Sequence, residues 1–159
     1  TMALKNRSCT PKFQGRVESL GRRQVKSPKI NFRDTGLLLS LLDIPNGHNL
    51  LGHPKVGASW EGFVLEQALQ ILHPNAEYFW GTHAGAELDL VFQSGGNRYG
   101  IEIKFNEAPT LTPSMRIASS ELSLEHLWII YPGNETYPVM KNITALPLKN
   151  LETIREKIK

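Results

Sequence analysis

The chain has one cysteine, Cys9, among 159 residues. That excludes an internal disulfide and a thiolate-rich zinc site. Nowhere does it approach the roughly 18 consecutive apolar residues that crossing a bilayer requires. The start, with Lys5, Arg7, Lys12 and Arg16 and no apolar segment among them, does not read as a secretory signal. It also lacks a G-x-x-x-x-G-K-[S/T] loop, the backbone cradle for nucleotide phosphates, so ATP hydrolysis by this chain alone is not expected. A cytoplasmic protein without membrane contact is the expectation. Acidic residues are scarce in one region only: residues 1–33 hold nine Lys/Arg against Glu18, a net +8, whereas residues 34–159 carry −5. Such a stretch can lie along phosphates, but a basic end is more ordinarily a solvated or linker-like segment. What remains, 40% apolar and 21% charged overall, suits one domain with a modest core. We read residues 1–27 as a basic leader and 28–159 as the domain.

Asp34-Thr-Gly can cap the leucine run Leu37, Leu38, Leu39, Leu41 and Leu42, which Pro45-Asn-Gly ends. From Gly57 to Leu72, Trp60, Phe63, Val64, Ala68, Ile71 and Leu72 recur at three and four residues, the helix period, until His73-Pro74 stops them. Three strands are predicted next, at Tyr78–Trp80, Ala86–Gln93 and Arg98–Phe105, the last two joined by the hairpin signal Ser-Gly-Gly-Asn. Thr112 can cap a second long helix with Pro113 at its first position and Met115, Ala118 and Leu122 along one face. Leu127–Tyr131, apolar without alternation, reads as a buried strand. Pro138 and Pro147 mark short edge pieces, and Leu148, Leu151, Ile154 and Ile158 give a C-terminal amphipathic helix. The order is αβββαβ, a mixed α/β domain.

Strict alternation puts Ala86, Leu88, Leu90 and Phe92 on one face of their strand and Glu87, Asp89, Val91 and Gln93 on the other. In the next strand Tyr99, Ile101, Ile103 and Phe105 share a face opposite Gly100, Glu102 and Lys104. A two-residue turn at Gly95-Gly96 would pair Phe92 with Tyr99, Leu90 with Ile101 and Leu88 with Ile103, setting Asp89 directly opposite Glu102. Facing carboxylates repel and need an offset, which a hard divalent cation supplies. Lys104, one pleat onward, could stabilise charge on a phosphate or on attacking water. Glu61 has Val64, Leu65 and Ala68 at i+3, i+4 and i+7, so it lies on an apolar helix stripe where a carboxylate needs a partner. Glu66 is less exceptional. The competing reading makes all four ordinary surface residues of a sheet whose second face is solvated. Of the histidines, His83 could contact phosphate, although a loop histidine beside Ala84-Gly85 is more ordinarily idle, while His48, His53, His73 and His126 lack metal-ligand spacing and read as structural. Trp60, Trp80 and Trp128 read as core rather than as base-stacking residues.

Gly57-x-x-x-Glu61, Glu87-Leu-Asp89 and Glu102-Ile-Lys104, in αβββαβ order, resemble the PD-(D/E)XK nuclease superfamily, with Leu88 where its namesake proline would stand. The longer string VKSPKINFRDTGLLLSLL, HPKVGASWEGFVLEQAL, YFW, AELDLVF and IEIKF resembles the C-terminal domain of unknown function found in bacterial and archaeal AAA-type ATPases. The resemblance implies a restriction-endonuclease-like αβββαβ core with a mixed central sheet flanked by helices. It implies that Asp89, Glu102 and the Ile103 carbonyl bind Mg²⁺ or Mn²⁺, that Glu61 completes the shell, and that Lys104 orients or activates the attacking water. The implied activity is metal-dependent hydrolysis of DNA phosphodiesters, with Asp89, Glu102 and Lys104 as catalytic residues. The alternative is a silent nuclease fold serving its ATPase as a DNA-binding or protein-docking module. An ATPase domain and a winged-helix segment would precede this domain in the full-length chain, with residues 1–27 as their tail. Homo-oligomerisation is compatible with either.

Overall fold

The computed structural model describes residues 34–158, together with the backbone of two short paired strands, β1 (Lys12–Phe13) and β2 (Lys29–Ile30). Most of the basic leader assigned to 1–27 therefore lies outside the described residues. The Asp34 carboxylate accepts from the Leu37 amide at 2.9 Å and starts α1 (Thr35–Leu41). Pro45-Asn-Gly ends that helix but also begins another: the Asn46 side chain caps α2 (Gly47–Leu51), an element the sequence had suggested only as a turn. Helix α3 (Val56–Leu72) runs where its periodicity predicts and stops at His73, whose backbone turns left-handed before Pro74.

Strands β3 (Glu77–Gly81), β4 (Glu87–Ser94) and β5 (Asn97–Ile103) form an antiparallel meander. Between β4 and β5, Gly95 and Gly96 both take positive φ, the turn that suits the twist of a two-residue hairpin. Helix α4 (Pro113–Glu121), capped by the Thr112 hydroxyl, then carries the chain to β6 (His126–Tyr131), which pairs parallel to β5. Strands β7 (Tyr137–Met140) and β8 (Ile143–Pro147) follow, then a 3₁₀ turn (Leu148–Asn150) and α5 (Glu152–Lys157). The six-stranded mixed sheet has the order β3-β4-β5-β6-β8-β7. The αβββαβ succession is thus present from α3 to β6.

Two expectations about the later strands need correction. The piece marked by Pro147 is not an edge: β8 pairs parallel to β6 and antiparallel to β7, and only β7 is marginal. An interior strand tolerates this proline because Pro147 is its last residue, where the ladder finishes. The predicted C-terminal helix is broken into the 3₁₀ turn and α5, though Leu151, Ile154 and Ile158 are buried as the pattern requires.

Apolar side chains cover both faces of the sheet. On one side Val64, Leu65, Ala68 and Leu72 of α3 and Ile154 of α5 pack against Phe79, Leu90, Phe92, Tyr99, Ile101, Ile103, Trp128 and Ile130. On the other, Met115, Ala118 and Leu122 pack against Tyr78, Trp80, Leu88, Val91, Leu127 and Ile129. The reading in which the second face is solvated therefore fails. Gly100 sits on the α4 side, where an added Cβ would stand 2.8 Å from both Leu88 Cδ2 and Leu124 Cδ1.

The predicted alternation of β4 holds over only part of the strand. Phe92 pairs with Tyr99 and Leu90 with Ile101, as the turn dictates. Ala86 and Leu88, however, belong to the α4-side core, while Leu90 and Phe92 belong to the α3-side core. The cause is a bulge against β3: Trp80 partners Leu88 and Tyr78 partners Val91, so Phe79 alone faces two residues, Asp89 and Leu90. One extra residue in a strand exchanges the faces on either side of it. The expected Leu88–Ile103 and Asp89–Glu102 pairings consequently do not form, and the regular β4–β5 register reaches no further than Leu90–Ile101.

Candidate active site

The bulge sets the position of Asp89. Where a regular ladder would bring a backbone carbonyl, the Asp89 Oδ2 accepts a hydrogen bond of 2.9 Å from the Ile103 amide. The side chain thus completes the β4–β5 connection and is anchored to the strand that carries Glu102 and Lys104. Alternation alone could not reveal this contact. A trace of it exists in the sequence: Leu90-Val91-Phe92 is apolar without a break, which signals burial on both faces and an irregular relation to Glu87-Leu88-Asp89.

Glu102 is 6% exposed, the one buried acidic side chain among the described residues. It pairs in register with Ile129 of β6, and Lys104 Nζ lies 2.7 Å from its Oε1. The Lys104 backbone amide is held by the Ile130 carbonyl at 2.9 Å, so β6 fixes the strand end from which the lysine projects. Partial burial of the Lys104 ammonium disfavours its charge. The Glu102 carboxylate outweighs that effect through charge and hydrogen bond, Asp89 and Glu61 add to it, and the pKa is raised above 10.5. At neutral pH Lys104 is a cation, suited to hold negative charge rather than to accept a proton.

Glu61 projects from α3, half-buried, beside Val64, Leu65 and Ala68, which are 0%, 6% and 0% exposed. It lies close enough to act on Lys104 electrostatically. Thus Glu61, Asp89, Glu102 and Lys104, drawn from α3, β4 and the end of β5, are gathered in one region around the lysine. The repulsion expected between Asp89 and Glu102 is offset by protein groups: the Ile103 amide on Asp89 and the Lys104 ammonium on Glu102. Among the described residues, no group of three or more His, Cys, Asp or Glu side chains closes into a metal-binding cluster. The donor chemistry, carboxylates plus a nearby main-chain carbonyl at Ile103, suits a hard cation such as Mg²⁺, which needs only one or two protein carboxylates and keeps several waters.

The other candidates separate clearly. Glu66 bonds Gln70 at 3.0 Å on the outer side of α3. His83 is exposed in the β3–β4 turn. His126 contacts the Thr144 hydroxyl at 2.9 Å and lies against the Trp128 ring, a structural role. Trp80 and Trp128 are core residues, at 2% and 1% exposure. Trp60 is different: it packs against the core from α3 yet its ring also meets Phe63 and Phe105, both exposed. A depression of about 450 Å³, lined by Gln70, Ile71, His73, Glu152, Arg155 and Glu156, contains none of the four charged residues named above.

Residues 56–151 match the family model described as "Domain of unknown function (DUF4143)". Uncharacterized proteins of Mycobacterium bovis and Mycobacterium tuberculosis are each 46% identical to the chain over 153 residues, which is 96% of this chain and 34% of theirs. The chain therefore spans about a third of the length of these curated relatives. No solved structure matches it.

Proposed function

For a chain that belongs to the DUF4143 family, whose model covers more than half of it, we propose a restriction-endonuclease-like domain that hydrolyses DNA phosphodiesters with Mg²⁺ or Mn²⁺. The observation that supports this reading is the ion pair of the half-buried Lys104 with the buried Glu102 at 2.7 Å, on which Asp89 and Glu61 from separate elements also act electrostatically. A structural ion pair needs one acid; three acids around a lysine at a strand end form a charge arrangement that would suit a cation and a phosphate together. The mixed sheet with α3, β3, β4, β5, α4 and β6 in succession supports the fold assignment.

Under this reading Asp89 and Glu102 hold the cation with the Ile103 carbonyl, and Glu61 contributes from α3. When bound, the cation polarises the phosphodiester and stabilises charge on the attacking and leaving oxygens. The remaining work falls to the chain itself. Lys104, kept protonated by its acidic neighbours, neutralises a phosphate oxygen or orients water by donating to it. Lys104 Nζ lies 2.7 Å from Glu102 Oε1, so the ammonium is held at the strand end from which it would meet a phosphate oxygen. The Ile103 amide holds Asp89 in place through the change.

The second reading is a silent nuclease fold that binds DNA or docks protein for an ATPase located in the rest of the longer polypeptide. One observation favours it: the leucine-rich pair α1 and α2, in which no residue is buried. The deciding experiment is cleavage of labelled linear, single-stranded and branched DNA with Mg²⁺ or Mn²⁺, beside Asp89→Asn and Lys104→Ala variants and an EDTA control. Metal-dependent cutting lost in both variants supports the enzyme. Absence of cutting by the folded chain, with DNA binding retained, refutes it in favour of the module.

A further inference from the structure

Helices α1 and α2 are seven and five residues long, and none of their side chains is buried. Yet residues 35–51 hold seven leucines, Ile44 and one formal charge, Asp43, in a chain that is 21% charged overall. At about 100° per residue, Leu37, Leu38, Leu39, Leu41 and Leu42 sweep more than half the circumference of α1 and its cap. A helix this apolar is ordinarily covered on every side. Here α1 lies against α3 with Leu38 and Leu39 half-buried, while Leu37, Leu41 and Leu42 are 45%, 67% and 38% exposed. Helix α2 adds Leu51, 67% exposed. Single exposed leucines are commonplace, but an almost uncharged pair of helices that shows four of them marks a surface that another molecule covers.

What covers it is constrained by what the segment lacks. Nucleic acid and anionic membrane surfaces are both held by Lys and Arg, and neither residue stands between Thr35 and Leu51. A protein surface is the remaining class. A second copy of this chain is disfavoured by size: a stable dimer takes about 20 to 30 residues from each partner, and helices of seven and five residues fall short. A domain joined through the same polypeptide needs less surface, because the tether supplies an effective concentration on the order of millimolar. The mycobacterial relatives have chain for such a domain. Their match takes in 96% of this chain, so α1 and α2 fall within it, but only 34% of their own length. The family model begins at residue 56, after both helices. The pair is thus attached to the family domain without belonging to it, as a contact to a neighbouring domain would be. We propose that α1 and α2 form the face on which this domain docks, within one polypeptide, against an apolar surface of the portion that its relatives carry beyond the shared third. This docking role is independent of whether the candidate site cuts DNA.

The test uses the whole Mycobacterium tuberculosis relative, its shared part of 153 residues, and this chain. Hydrogen exchange read by mass spectrometry should be at least about tenfold slower for the segment matching residues 35–51 in the whole relative than in its shared part, with the strand matching β6 equally slow in both. A photoreactive benzoylphenylalanine at the position matching Leu41 or Leu51 should cross-link, within one polypeptide, to residues outside the shared part. In this chain alone, Leu41→Glu and Leu51→Glu should leave the urea midpoint unchanged, since neither leucine is buried. Equal exchange in the whole relative and its shared part, cross-links confined to the shared part, or a lowered midpoint that makes these leucines part of the domain's own core overturns the proposal. Protection that appears in the shared part alone and grows with its concentration overturns it in favour of a second copy.

Discussion

The carboxylate of Asp89 is asked to do two things, and two substitutions separate them. Its Oδ2 accepts from the amide of Ile103, a residue 1% exposed, at the point where the β4 bulge interrupts the ladder. Asp89→Ala leaves that amide without its acceptor. A hydrogen bond to a charged group contributes about 1.5 to 3 kcal/mol net, and an orphaned buried donor costs a similar amount. We expect a loss of about 2 kcal/mol, tempered because Asp89 is only half-buried and water can reach it. For a chain of this size that lowers the unfolding midpoint by about 4 to 8 °C. Asp89→Asn retains a carbonyl oxygen in the same place and removes only the charge, so its loss should be about 1 kcal/mol or less. Under the proposed nuclease function both variants should be without Mg²⁺-dependent cleavage, but only the alanine should lose marked stability. Thermal unfolding followed by far-ultraviolet circular dichroism, with urea titration as a second measure, reads the difference. Equal midpoints for the two variants would refute the ladder-completing role of Asp89.

Gly100→Ala places a methyl group 2.8 Å from Leu88 Cδ2 and Leu124 Cδ1, which are 0% and 5% exposed residues unable to retreat into solvent. Overpacking should cost about 1 to 3 kcal/mol in urea unfolding, and an unchanged midpoint would show that the α4-side core has slack. Because the folded pKa of Lys104 is raised above 10.5, its ion pair contributes stability that is fully present below 10.5 and disappears as pH climbs through the folded value. The stability difference between the unsubstituted chain and Lys104→Met should therefore hold steady from neutral pH to about 10 and shrink above it; a difference constant to higher pH would refute the pairing.

Helix α3, the Gly95-Gly96 hairpin, α4 with its Thr112 cap and the buried β6 were legible because each depends on residues near one another in sequence. The period of Val64, Leu65, Ala68 and Leu72 reports a helix face directly, and two adjacent glycines at positive φ make one turn. The hairpin register brings β4 beside β5 and the stripe on α3 turns Glu61 inward, but the pairing of Asp89 with Glu102 that alternation predicted does not form, and Asp89 meets the Ile103 amide instead. The pairing of β8 between β6 and β7 was not legible. Short strands near prolines carry no signal for their neighbours, which are chosen by where the α4-side and α3-side cores leave open edges.

What the sequence determined by itself is the set of chemical groups and the order in which the elements present them. Tertiary structure decided how those groups meet. Phe79 of β3 faces both Asp89 and Leu90, and that one-residue excess turns Asp89 from a supposed partner of Glu102 into the acceptor for the Ile103 amide. With the second sheet face covered by Met115, Ala118 and Leu122, Glu102 is a buried charge, 6% exposed, whose Oε1 lies 2.7 Å from Lys104 Nζ. Alternation within a strand specifies faces only while every residue is paired, whereas a bulge and a covering helix are set by packing between elements far apart in the chain.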